Sequence, residues 1–188
     1  MRDGTQTRDK IERAALRLFA EVGIAETSIR DIARAAGVSQ GAMYNHFKSK
    51  EVLAWHLFAT NFSDIGGELR RIAREQPTLA ARFHAMIRHV FERFDQDRLA
   101  VSYVFLVRHV HLDKVTPEMG NPYRVFRTVI AEAIRNGEAP RQDIDIACSL
   151  VVGAIIQVTD TRILGAIRGS LARHTAAVAD ACLRLLKA

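Results

Sequence analysis

Residues 27–50 read Thr-Ser-Ile-Arg-Asp-Ile-Ala-Arg-Ala-Ala-Gly-Val-Ser-Gln-Gly-Ala-Met-Tyr-Asn-His-Phe-Lys-Ser-Lys. Ile29, Ile32, Ala33 and Ala36 share one helical face, the spacing of a short amphipathic helix. Thr27 or Ser28 caps its start, and Asp31 stands three residues after Ser28 as the acid of a capping box does. Gly37 supplies the left-handed residue that ends it. Ser39 then caps a third helix of about seven or eight residues, and Ser49 caps a fourth, with Glu51 in its first turn. Two short helices around a tight turn form a unit whose second helix suits the major groove of DNA.

On the third helix, Met43 and Phe47 lie four apart and face inward, leaving Gln40, Gly41, Tyr44 and Asn45 outward. Glutamine and asparagine pair with an adenine edge through two hydrogen bonds, and glycine lets the backbone approach. Tyr44 offers a flat face and a hydroxyl. His46, Lys48 and Lys50 stand beside them as phosphate partners, and the amides that open the fourth helix favour the same anion.

Upstream, Ile11, Ala14, Ala15, Leu18, Phe19 and Val22 repeat at helical spacing from about Thr7 until Gly23 stops them. Downstream, helical segments span 49–75, 78–97, 98–112, 118–136, 143–167 and 170–187. The four prolines, at 77, 117, 122 and 140, fall where the periodicity is already broken. Val101–Val107 has the β-branched and aromatic content of a buried strand, but no partner strand is apparent, so it reads as a helix buried on most sides. The expectation is an all-α chain of about nine helices.

At 188 residues and 48% hydrophobic, the chain is long enough for a small head on a larger body. Its net charge of +6 favours polyanionic partners. Residues 1–50 hold nine lysines and arginines against six acids, so half of that excess sits on a quarter of the chain. Cys148 and Cys182 form no short metal-ligand spacing, and a reducing cytoplasm fits them. The longest apolar runs, Leu150–Ile156 and Val101–Val107, fall short of the roughly 18–20 residues that span a bilayer. We expect a cytoplasmic protein with no membrane partner.

The run Ile11-x2-Ala14-Ala15-x2-Leu18-Phe19, Gly23, Thr27 to Ala33, Ala36-Gly37-Val38-Ser39, Gly41-Ala42-Met43-Tyr44-x-His46-Phe47-x-Ser49-Lys50-Glu51-x-Leu53 resembles the tetracycline-repressor (TetR) family of bacterial regulators. The resemblance covers about residues 8–55; the rest matches only in length and helical pattern. It implies a helix-turn-helix head at 1–50 and a helical ligand-binding and dimerisation body at 51–188. It implies a ligand-responsive repressor, not an enzyme, that holds a palindromic double-stranded operator as a homodimer and is released by a small-molecule effector. By motif position, Gln40, Gly41, Tyr44 and Asn45 reach bases, and Thr27, Ser28, Ser39, Tyr44, His46, Lys48 and Lys50 sit at the backbone.

In the body, Phe58, Phe62, Phe83, Ile87, Phe91, Tyr103 and Phe126 are the candidate ligand-lining residues, although aromatics at helical spacing are usually core. The terminal helices carry Leu150, Ala154, Val158, Val178, Cys182 and Leu185, which the resemblance places across a two-fold axis. No cofactor and no metal are expected. Arg108-His109-Val110-His111-Leu112-Asp113 is similar to a metallo-hydrolase signature, but Lys114 stands where a further histidine belongs, and alternate residues of a helix point to different faces. Arg70-Arg71 with Arg74 reads as a solvated basic face.

Overall fold

A computed structural model describes residues 2–187. Among them the chain forms α1 (Arg2–Glu21), α2 (Ile29–Ala36), α3 (Gln40–His46), α4 (Lys50–Glu75), α5 (Leu79–Gln96), α6 (Arg98–His111), α7 (Pro122–Arg135), α8 (Ile144–Ile163) and α9 (Thr175–Leu185), with 3-10 turns at Leu112–Lys114 and Ala172–His174. The described residues contain no strand. The chain gathers into two compact units. One holds the residues through Asn61 together with Leu99–Lys114; the other holds Phe62–Arg98 and everything from Val115 onward. The unit that contains the helix-turn-helix is thus larger than the segment 1–50, because it takes in the first turns of α4 and nearly all of α6.

In the first unit, Ile11, Ala15 and Phe19 of α1 are buried, and α2 lays Ile32 and Ala33 against that face. Met43 and Phe47, and Leu53, Leu57 and Phe58 of α4, complete the apolar centre. Four successive residues of α6, Val101 to Val104, are buried. A helix achieves that only when covered on most sides, which is how the apolar run resolves in favour of helix. The Tyr103 ring stacks on Phe19 at 5.9 Å, and its hydroxyl donates to the Ala54 carbonyl at 2.9 Å. Burial pushes the phenol well above its usual pKa. Outside this core, Glu12 of α1 accepts from Arg8 at 2.9 Å and meets Nε2 of His56 at 3.0 Å, while the Arg8 guanidinium lies 5.2 Å over the Phe47 ring. These contacts join α1 to α4 and to the end of α3.

In the second unit, α5 packs on α9 and α7, and α8 on α7 and α9. Phe83 and Phe126 meet edge to face at 5.8 Å. The Asp95 carboxylate accepts from the amides of Leu171 (2.9 Å) and Ala172 (3.0 Å) and from the Ser170 hydroxyl (2.6 Å), so the end of α5 holds the turn before α9. Burial raises the pKa of this carboxyl, but the bonds from Ser170, Ala172 and Leu171 outweigh that and hold it below its ordinary value. Cys148 and Cys182 are free and buried, their thiols pushed to about 11 chiefly by burial.

One approach is unusually close. A Cβ on Gly66 of α4 would sit 2.5 Å from the carbonyl carbon of Gly120, and one on Gly120 would sit 2.3 Å from the Ser63 carbonyl oxygen. The segment before α7 therefore rests on the α4 backbone with no side chain between. This, with Asn121 capping and Pro122 opening the helix, is why α7 begins at Pro122 and not at 118. Gly165, at positive φ just past the Leu164 cap, ends α8 at Ile163, and the 3-10 turn Ala172–His174 delays α9 to Thr175.

Candidate nucleic-acid interface

The helix-turn-helix is built by local capping. Ser28 takes the cap of α2: its hydroxyl accepts the Asp31 amide at 3.1 Å, and the Asp31 carboxylate accepts the Ser28 amide at 3.2 Å. Gly37, at φ 67° and ψ 34°, closes the helix, with its amide bonded to Ala33 and Arg34 carbonyls. Ser39 caps α3 by accepting the Ala42 amide at 3.0 Å, and Ser49 caps α4 through Val52 at 3.2 Å. Hydrogen bonds from the Ser28 side chain and backbone, then from Arg34, hold the Asp31 carboxyl below 3.8. A depressed carboxylate stabilises the fold above its unfolded pKa and loses that contribution as pH falls through the folded value. Ser28→Ala should cost about 1 kcal/mol, and both it and Asp31→Asn should weaken the acid dependence of thermal unfolding below about pH 5. An unchanged melting temperature and acid limb in both variants would show that the capping box contributes nothing.

The helix turns its apolar side inward. Met43 and Phe47 are buried, while Gln40, Gly41, Tyr44, Asn45 and Lys48 are exposed, Tyr44 to 54%; His46 is half-buried. Nothing lies near a Cβ built on Gly41 except the Ser39 hydroxyl at 3.8 Å, so the backbone there is open to approach. One face of α3 thus presents two amides, a phenol and a bare backbone.

Two residues expected at phosphates are placed otherwise. Thr27 is buried, and its hydroxyl donates to the Gly23 carbonyl at 2.7 Å. The Lys50 ammonium donates to the carbonyls of Ile24 (2.9 Å), Ala25 (2.7 Å) and Thr27 (2.9 Å). All three of its hydrogens are committed. Lys50 ties the start of α4 to the loop between α1 and α2, and neither side chain is offered to a phosphate. A lysine in the first turn opposes the helix dipole, and that misfit was the sequence signal that it serves another partner.

The family model for bacterial regulatory proteins of the tetR family matches residues 11–56. The chain is 31% identical over 137 residues to the HTH-type transcriptional repressor KstR2 of Rhodococcus jostii (strain RHA1), covering 70% of this chain and 67% of that protein. It belongs to the tetR family of transcriptional regulators. A shorter likeness, 44% identity over 64 residues, joins this tetR regulator to the HTH-type transcriptional regulator AcrR of Shigella flexneri, covering 34% of this chain and 30% of that protein. Its fold is that of the transcriptional regulator FadR from Bacillus subtilis, solved in complex with stearoyl-CoA, with a TM-score of 0.75, 20% identity, and coverage of 94% and 97% of the two chains.

The body residues expected at a ligand are core in this tetR regulator. Phe58, Phe62, Phe83, Ile87, Phe91, Tyr103 and Phe126 are all buried, and none lines the cleft beside Arg70, Arg74 and Arg124 or the one beside Asp64, Glu68 and His89. Cys182, expected at the dimer face, is buried inside the chain with its thiol toward the Val151 carbonyl. Leu150 is 51% exposed, Leu185 is also exposed, and Ala154, Val158 and Val178 are half-buried. His109 is exposed while His111 is buried. Among the described residues, no three histidines, cysteines or acids come together to hold a metal. His111 packs on Trp55 and Phe58 at 5.7 and 5.1 Å, and neither ring nitrogen has a hydrogen-bond partner. Burial, then the Lys114 charge, lowers its pKa, so the ring is neutral near pH 7.

Proposed function

We propose that this regulator is a repressor that holds a palindromic operator as a homodimer and releases it when a small-molecule effector binds the body. Residues 1–50 serve as the reading head and 51–188 as the effector and dimerisation body. The carrying observation is the divided surface of α3, apolar behind and polar in front. Gln40, Asn45 and Tyr44 reach base edges, and Gly41 admits the backbone. His46 and Lys48, with the capping hydroxyl of Ser39, meet the phosphates, while the Ser28 hydroxyl is held by Asp31. Thr27 and Lys50 hold the loop behind them.

The dimer face lies on α8 and α9. Ile146 is 61% exposed, and Leu150 and Leu185 are uncovered beside Gly153 and Ala154, small residues that admit a second helix closely. By length and composition alone, α8 meets the requirement for a membrane span. However, Ala147, Cys148, Val151, Ile155 and Thr159 bury its other face against the chain, and it carries Asp145, Asp160 and Arg162. A second copy of this chain, in the cytoplasm, is the partner that fits. Sedimentation showing a monomer at micromolar concentration would rule this out. The regulator acts by binding, and no reaction is assigned to it. Effector control is supported by a structural neighbour that holds stearoyl-CoA.

Selection of binding sites from random duplexes tests the reading. Wild-type protein should enrich a palindrome. Gln40→Ala and Asn45→Ala should each lose about 1–3 kcal/mol of discrimination at a particular base pair. Identical profiles for wild type and both variants would overturn the base contacts.

A further inference from the structure

The Arg70-Arg71-Arg74 cluster is one group in sequence and two in space. Arg71 is satisfied: it donates to both Glu75 oxygens at 2.7 and 2.8 Å and to Glu68 at 2.8 Å. Among the described residues, Arg70 and Arg74, four apart on the neighbouring face of α4, find no ion-pair or side-chain hydrogen-bond partner. They line a cleft of about 270 Å³ together with Arg124 of α7, whose charge also acts on Glu118, and Arg82 of α5. Arg82 forms the fixed wall, donating to Glu132 at 2.8 Å and to the Gln76 carbonyl at 3.0 Å. Ala73, Val125 and Val129 supply an apolar floor.

Four arginines against one glutamate leave a net +3 in the cleft, half of what the whole chain carries. Like charges four apart on a helix repel, and a third guanidinium from another helix adds to that repulsion. The same helix gives Arg71 two acids and gives Arg70 and Arg74 none. A solvated face has no need to gather charge across three helices. Guanidinium forks match the paired oxygens of a phosphate, and the volume suits a phosphate-bearing head group.

We infer that the Arg70–Arg74–Arg82–Arg124 cleft binds the phosphate end of a phosphate-bearing small molecule with an apolar portion. This names the chemistry of the effector and rests on the function proposed above. The apolar portion lies over Val125 and Val129, and the phosphate bridges the guanidinia of Arg70, Arg74 and Arg124.

The test uses the full chain and inorganic pyrophosphate as probe, titrated by calorimetry at constant ionic strength against chloride. Saturable binding is expected, with affinity falling about tenfold in each of Arg70→Gln, Arg74→Gln and Arg124→Gln and unchanged in Arg71→Gln. Circular dichroism of each variant verifies that it is folded. Binding no stronger than chloride, or an Arg71→Gln loss equal to that of Arg70→Gln, overturns the cleft. Operator binding is measured separately. A chain that selects an operator yet ignores pyrophosphate refutes the cleft alone. One that binds pyrophosphate in the cleft yet selects no DNA refutes the regulator reading and leaves the cleft standing.

Discussion

Replacing Lys50 by methionine should lower operator affinity at least tenfold and lower the melting temperature by about 5–10 °C, from a stability loss of about 2–3 kcal/mol. The ammonium bonds three carbonyls of the 24–27 loop at 2.7 to 2.9 Å. Methionine keeps the stem and leaves those carbonyls without their charged donor. The loop leads straight into the Ser28 cap of α2, so its loosening spreads to the placement of α3. Arginine should not rescue, because its planar fork does not reproduce an ammonium that points three hydrogens at three oxygens. The salt dependence of DNA binding separates this role from direct phosphate contact. Loss of a phosphate contact flattens the plot of log affinity against log salt by about 0.9. Loss of an anchor leaves the slope as it was. A flattened slope with an unchanged melting temperature would return Lys50 to the DNA backbone.

The second large effect lies in the other unit. Gly66→Ala and Gly120→Ala should each destabilise the chain by about 2–3 kcal/mol, the range of overpacking a tight site. The added carbons would meet backbone atoms at 2.5 and 2.3 Å, and backbone cannot swing aside as a side chain does. The neighbour supplies the control. Nothing lies within 4 Å of a Cβ on Gly67, so Gly67→Ala should stabilise by about 0.5–1 kcal/mol through helix propensity. Thermal unfolding of the three variants decides it: equal shifts at 66 and 67 would mean that the close approach to Gly120 does not exist.

The reading head was legible because its signals are local. Ser28 and Asp31 are three apart, Gly37 and Ser39 two apart, and each pair describes its own turn. Thr27 and Ser28 looked equivalent as caps; the choice falls on Ser28 because the Thr27 hydroxyl is already bound to Gly23. Lys50, expected at a phosphate, is tied instead to carbonyls 23 to 26 residues back, and apart from its charge against the helix dipole nothing in the residue names marks them. The aromatic stripes of α4 to α7 showed burial correctly, but periodicity cannot tell a packed ring from one lining a cavity. The arginine cleft joins side chains more than fifty residues apart, from three helices. Only the fold separates Arg70 and Arg74 from Arg71.

The two cysteines give the second unit a built-in reporter. With thiols near 11, about one in ten thousand is ionised at pH 7, and neither sulfur meets solvent while α7, α8 and α9 stay packed. An alkylating reagent therefore reaches Cys182 only when α8 and α9 part, and Cys148, whose thiol faces the Tyr123 carbonyl of α7, only when α7 and α8 part, so each rate is a clock for one seam. Such breathing carries a free energy anywhere from near zero to that of whole-chain unfolding. Whatever reinforces the terminal helices, an apposed subunit included, slows that clock without any change in the chemistry of the sulfur.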